Sequence, residues 1–182
     1  MKRALAVAAA VIVAVGAALW FAPPLRPDTR IANEISIARP PPQVYDYVTT
    51  PANWPRWHPS SLAVRGATDH SLAVGETVVE DFVVAGNRGT VTWTVTARES
   101  PVTWSIDGKN TGSRGGGTVT YTLRPEGGGT RFTRVLTYRM PNLLAGILND
   151  FGVRERVAAE SAEAVTRLKA ALENNVATAL RP

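Results

Sequence analysis

Cysteine is absent, and histidine is confined to His58 and His70. The first absence removes disulfides, thiolate nucleophiles and sulfur-ligated zinc. The second leaves too few imidazoles for a histidine-rich metal centre, so no metal site is expected. There is no Gly-x-Ser-x-Gly elbow, no His-Glu-x-x-His, no P-loop and no dinucleotide fingerprint, so no cofactor is expected and no catalytic constellation emerges. Charge is also modest. The net +5 includes Lys2 and Arg3 at the N-terminus, and the balance on the remaining chain is too weak to point to nucleic acid.

What is present is a globular composition, 45% apolar and 19% charged, which argues against wholesale disorder. Residues 4 to 22 form an uncharged apolar run of about the length that crosses a bilayer as a helix. Trp20 and Phe21 sit at its far end, where aromatic side chains favour the interface, and Lys2 and Arg3 favour a cytoplasmic N-terminus. That reading makes residues 1–22 a single-pass anchor and puts the domain outside the cytoplasm, although Arg26 and Arg30 weaken the charge asymmetry. A signal peptide cleaved after Ala18 and a buried core helix are the rival readings. Residues 23–29, rich in proline, read as a stiff linker. The remaining 30–176 suits one domain with a sizeable core, and 177–182 reads as a tail.

The punctuation predicts an element order. Ile31, Ile35 and Ile37 alternate in a first strand over 30–38. A helix follows from Pro42 to Thr49, with proline tolerated in its first turn, then a second short helix or tight turn over 51–57. Strands are predicted near 61–67, 76–85, 89–98, 101–108, 117–125 and 130–139, separated by turns such as 85–89 and 126–129 whose residues accept positive φ. A final helix is expected over 142–174. Its apolar stripe runs through Leu144, Leu148, Phe151, Ala158, Ala162, Val165, Leu168 and Leu172, with a kink at Gly152. Alternating charges mark its outer face. The fold class is therefore α+β, a seven-stranded curved antiparallel sheet around a long C-terminal helix.

The segment IleSerIleAlaArgProProProGlnValTyrAspTyrValThrThrProAlaAsnTrpProArgTrpHisPro, 35–59, resembles the opening of START-like helix-grip proteins, the SRPBCC superfamily, in the polyketide cyclase/dehydrase branch. ThrValThrTyrThrLeu and GluGlyGlyGlyThrArgPheThr, within 118–133, and the terminal amphipathic helix match in character. The resemblance spans roughly 31–173. It implies a fold better than an activity, because the superfamily includes lipid carriers, cyclases, quinone-binding proteins and chaperone activators.

The resemblance also implies a cavity between the sheet's concave face and the last helix. Alternation nominates walls from Val91, Trp93 and Val95, from Val102, Trp104 and Ile106, from Val119, Tyr121 and Leu123, and from Phe132, Leu136 and Tyr138, against filled-core packing of the same side chains. With Phe82, Leu144, Leu148 and Phe151 these supply the candidate ligand contacts, and Trp54, Trp57 and His58 the candidate rim. Arg134 shares the inward phase of its strand and needs an anion, with Glu80, Asp81 or a ligand group as partner, unless a bulge returns it to water. The glycine-rich 112–117 reads as a loop able to gate a pocket. Basic side chains of the last hairpin read as solvated, or as facing lipid headgroups.

Two functions of different class follow. One is a membrane-tethered module that binds a lipid, isoprenoid or aromatic polyketide. The other is a cyclase or dehydratase in which Arg134 stabilises an enolate and His58 or Tyr138 moves a proton. A chaperone-activator role stands third, and protein partners are unknown from the sequence.

Overall fold

Helix α1, Lys2–Phe21, is apolar all round and contributes no buried residue to the domain, the character of a segment suited to a membrane rather than to this core. The computed structural model describes residues 1–26 and 28–179, with side-chain environments through residue 174. Pro27 of the expected linker and residues 180–182 of the expected tail lie outside that description. Strand β1 is Thr29–Ile37. Helix α2, Pro41–Thr49, starts on two prolines whose missing N–H groups cost a first turn nothing. A 3-10 turn, Pro51–Asn53, then leads into α3, Trp54–Trp57.

Six strands follow: β2 Ser61–Gly66, β3 Thr77–Val84, β4 Asn87–Glu99, β5 Thr103–Asn110, β6 Gly116–Glu126 and β7 Gly129–Arg139. All pair antiparallel in the order β1-β7-β6-β5-β4-β3-β2. Turn chemistry explains the hairpins. Ala85 and Gly86 both adopt positive φ between β3 and β4, as do Gly127 and Gly128 between β6 and β7.

The C-terminal segment departs from the expected single stripe. Helix α4, Leu143–Leu148, passes through a π turn at Asn149–Val153 into α5, Arg154–Ala179, which runs past the expected domain end at 176. Phe151 and Gly152 leave helical geometry, Gly152 at φ 138. This break re-phases the helix, so α5 buries Val157, Ser161, Ala164, Val165, Leu168 and Leu172 while Ala162 is exposed.

The core is concentrated at one end. Val44, Tyr45 and Val48 of α2 and Trp54 and Trp57 of α3 pack with Trp104, Tyr121, Leu123 and Phe132 of the sheet and with the second half of α5. A smaller cluster of Ile31, Ala85 and Val157 lies beside the first turns of α5.

Candidate functional site

The aromatic side chains divide between core and wall. Trp104 is fully buried, stacked on Tyr121 at 5.4 Å between centroids and edge-on to Trp54 at 6.3 Å. Tyr121 meets Phe132 at 5.2 Å and Trp57 at 6.2 Å. These rings fill the α2–α3 end of the concave space. Beyond Tyr121 the space stays open as a cavity of about 530 Å³.

Two glycines shape that cavity. Gly89 pairs across strands with Phe82, and Gly108 with Trp93. A Cβ at Gly89 would come within 2.5 Å of the Phe82 ring, and one at Gly108 would overlap the Trp93 ring. Each aromatic therefore lies down over a glycine on the next strand and leaves the hollow open above it. Trp93 is held there by its indole, which donates to Glu80 at 2.7 Å.

Of the expected contacts, Phe82, Trp93, Tyr121, Arg134, Leu136, Tyr138 and Leu148 line the cavity, with Trp54 and His58 from the expected rim. Trp104, Phe132 and Trp57 do not; they are core, because the stacked aromatic plug occupies the region they face. Leu144 is exposed and Phe151 is 86% exposed, because the π turn swings that stretch away from the stripe of α5. His58 is placed at the inner polar end, against Arg134, instead of at the mouth.

Arg134 is 4% exposed, as the alternation of β7 requires. Its Nη1 donates to Ser161 Oγ at 2.7 Å, its Nη2 to His58 Nε2 at 3.0 Å, and its Nε has no partner. Ser161 in turn donates to Asn33 Oδ1 at 2.5 Å. Neither expected carboxylate is its partner: Asp81 lies on the other face with Arg65 and Thr90, and Glu80 accepts from Trp93. Burial pushes the Glu80 carboxyl up. Among the described residues no carboxylate lies within ion-pair reach of Arg134, so a buried cation rests on neutral groups.

Both ring nitrogens of His58 face donors, Nε2 the guanidinium and Nδ1 the Ser60 amide at 3.3 Å. An imidazolium would face donors on both sides. Burial, and then the positive charges of Arg134 and Arg167, hold its pKa well below the ordinary histidine value. Burial pushes the Tyr121 hydroxyl up to about 12, so it stays neutral. Tyr138 is engaged elsewhere, donating to Asn149 Oδ1 at 2.7 Å, while Asn149 Nδ2 donates to Thr29 Oγ1 at 3.1 Å.

The exposed lining residues locate the mouth. Asn87 and Arg88 at the start of β4, Thr111 and Ser113 of the β5–β6 loop, and Arg139 and Leu148 at the β7–α4 side frame it. The glycine-rich 112–117 sits at the opening, its first four residues in the β5–β6 loop and Gly116 and Gly117 already in β6. Sequence reasoning missed Ser161, although its spacing of four from Val157 and from Val165 puts a polar group on an apolar stripe. It also missed Gly108 as the seat of Trp93.

A family model described as polyketide cyclase/dehydrase and lipid transport matches residues 28–173. Among solved structures, protein Ms6760 from Mycobacterium smegmatis is 23% identical with a TM-score of 0.57, covering 80% of this chain and 92% of its own. TTHA0849 from Thermus thermophilus is 15% identical with a TM-score of 0.66, covering 81% of this chain and 99% of its own. CV1439 from Chromobacterium violaceum is 17% identical with a TM-score of 0.58, covering 79% and 96%. At these identities the likeness is one of fold. No curated protein matches the chain.

Proposed function

The chain belongs to the polyketide cyclase/dehydrase and lipid transport family, and from that premise we propose that it binds a small apolar ligand, a lipid, isoprenoid or aromatic polyketide, beside a membrane that holds α1. The observation that carries this reading is the open, largely apolar cavity of about 530 Å³ between the sheet and the last helices, a volume in the range of small-molecule sites. Phe82, Trp93, Leu136 and Leu148 supply its apolar wall, Arg134, His58 and Tyr121 a polar inner end, and Asn87, Arg88, Thr111, Ser113 and Arg139 a polar mouth. A buried polar end inside an apolar hollow can fix the orientation of a guest and leave the rest to burial.

The geometry favours binding over the cyclase or dehydratase alternative. A general base needs a free lone pair within reach of the substrate. The Nε2 lone pair of His58 is taken by Arg134, and the Tyr138 hydroxyl is spent on Asn149. The single membrane pass rests on α1, which is long and apolar enough to span and is covered by nothing in the domain. On the charge of Lys2 and Arg3, the domain lies on the extracytoplasmic side.

The test uses the chain without residues 1–22, none of which contributes to the core. Purified without detergent, extracted with organic solvent and analysed by mass spectrometry, it should yield one apolar compound class at near-stoichiometric amounts. Extracts that hold only trace mixed lipid, with no saturable uptake of an added apolar fluorophore, would overturn the reading.

A further inference from the structure

The strand-to-helix passage at the cavity mouth presents apolar side chains in two directions. Inward, Met140, Pro141, Ala145 and Leu148 line the cavity. Outward, Leu144 is 37% and Phe151 86% exposed, Leu25 in the segment after α1 is 82% exposed, and Leu148, at 54%, stands on the rim between the two directions. Isolated exposed apolar residues are ordinary, but a contiguous group on a short helix marks a surface that something covers.

The covering partner is indicated by what adjoins this surface. The end of α1 is fastened to it: the Leu143 amide donates to the Ala22 carbonyl at 2.9 Å, and Pro24 lies so close to Gly146 that an added Cβ there would stand 3.0 Å away. Arg114, in the glycine-rich loop on the other side of the mouth, reaches the Trp20 carbonyl at 3.5 Å. Thus two of the three segments that frame the mouth touch the last turn of α1 or the residue after it. The start of α4 therefore adjoins the Trp20–Phe21 end of α1.

Charge agrees with this placement. Arg88 and Arg114 at the mouth form no ion pair among the described residues, and Arg26 and Arg139 reach only exposed partners, Asp150 at 3.6 Å and Asp28 at 3.5 Å. Cations around an apolar patch suit anionic headgroups. The patch is also held in shape. Asn142 caps α4 by accepting from the Ala145 amide at 2.9 Å, and buried Asn149 ties its end to Tyr138 and Thr29.

We propose that the outer face of α4 and the π turn, Leu144, Leu148 and Phe151 together with Leu25, seats in the bilayer that holds α1, so that the cavity opens onto lipid and exchanges its ligand there without passage through water. The proposal rests on the reading of α1 as a membrane anchor. It makes the mouth a membrane contact built by the join between anchor and domain.

The absence of cysteine makes the test direct. Full-length chains with Leu144→Cys, Phe151→Cys, Val13→Cys or Arg124→Cys are labelled with the fluorophore NBD and reconstituted in phosphatidylcholine–phosphatidylglycerol vesicles, with or without doxyl-labelled lipid. Val13 reports on α1, and exposed Arg124 lies on β6 far from the mouth. The expected result is blue-shifted emission at 144 and 151, quenched by doxyl lipid severalfold more than at 124 and comparably to 13. Quenching at 13 but not at 144 or 151 would overturn the docked face and leave the anchor standing. Absence of quenching at 13 would remove the anchor itself and the proposal with it. A blue shift at 151 without lipid quenching would assign the face to a protein contact instead.

Discussion

Gly108 and Trp93 illustrate how single residues set the size of the cavity. The indole lies where a Cβ would be, so Gly108→Ala forces it up into the hollow, with an overpacking cost of about 1–3 kcal/mol. The expected outcome is a folded protein with reduced capacity for an apolar fluorophore, read by titration. Trp104 behaves oppositely. It is fully buried in the aromatic plug, so Trp104→Ala is expected to cost about 3–5 kcal/mol in denaturant unfolding and to act on ligand uptake only through lost fold.

The polar end makes a prediction about pH. His58 has its folded pKa depressed below the ordinary value of about 6.5, so the unfolded chain binds the proton more readily. Its contribution to stability is complete above that value and is lost as pH falls from there toward the folded pKa. Glu80, raised by burial, works the other way, losing stability as pH rises from about 4.5 through its folded value. His58→Gln should flatten the acid-side loss below about 6.5 in a series of unfolding curves, and an unchanged slope would contradict the neutral, donor-flanked imidazole. The inward phase of Arg134 was legible from alternation along β7. Its partners were not, because Ser161 and His58 come from elements remote in sequence, and period alone does not say which side chains meet across a concave face.

At the scale of elements, the join between α4 and α5 departs most from sequence expectation. The strands, α2 and α3 fall within a few residues of their predicted limits, because β-branched alternation, prolines and glycine turns are local signals. Gly152 marked the place of the kink, but the apolar residues recur at threes and fours on both sides of it, and nothing local announces that the kink is a π turn that changes the phase. That turn changes the phase, so Leu144 and Phe151 leave the stripe while Val153 and Val157 join the interior. Gly152 holds φ 138, a region that side chains adopt only with strain. Gly152→Ala is therefore expected to destabilise by about 1–3 kcal/mol and to lower hydrogen-exchange protection in α4 more than in the second half of α5. Uniform loss across both helices would indicate that the break is not a local hinge.

At the scale of the molecule, one concave sheet serves two ends differently. Bulky rings and α2–α3 close one end; glycines, flattened aromatics and a diverted helix leave the other open. The sheet, the helix and their order could be read from pattern, since burial on one face imposes period two or period 3.6. The hollow could not, because alternation assigns a side chain to a face without saying whether the faces touch. The location of the opening beside α1 depended equally on contacts between Leu143 and Ala22 that no spacing encodes.

The central claim is that the open end holds a guest, and filling it is the most direct test. Val91 and Val119 line the cavity, so Val91→Trp combined with Val119→Phe would occupy much of it. Titration of this variant and the unchanged chain with N-phenyl-1-naphthylamine, alongside unfolding curves that establish retained fold, should show saturable uptake by the unchanged chain and little by the filled one. Equal saturable uptake by a folded, filled variant would contradict the account.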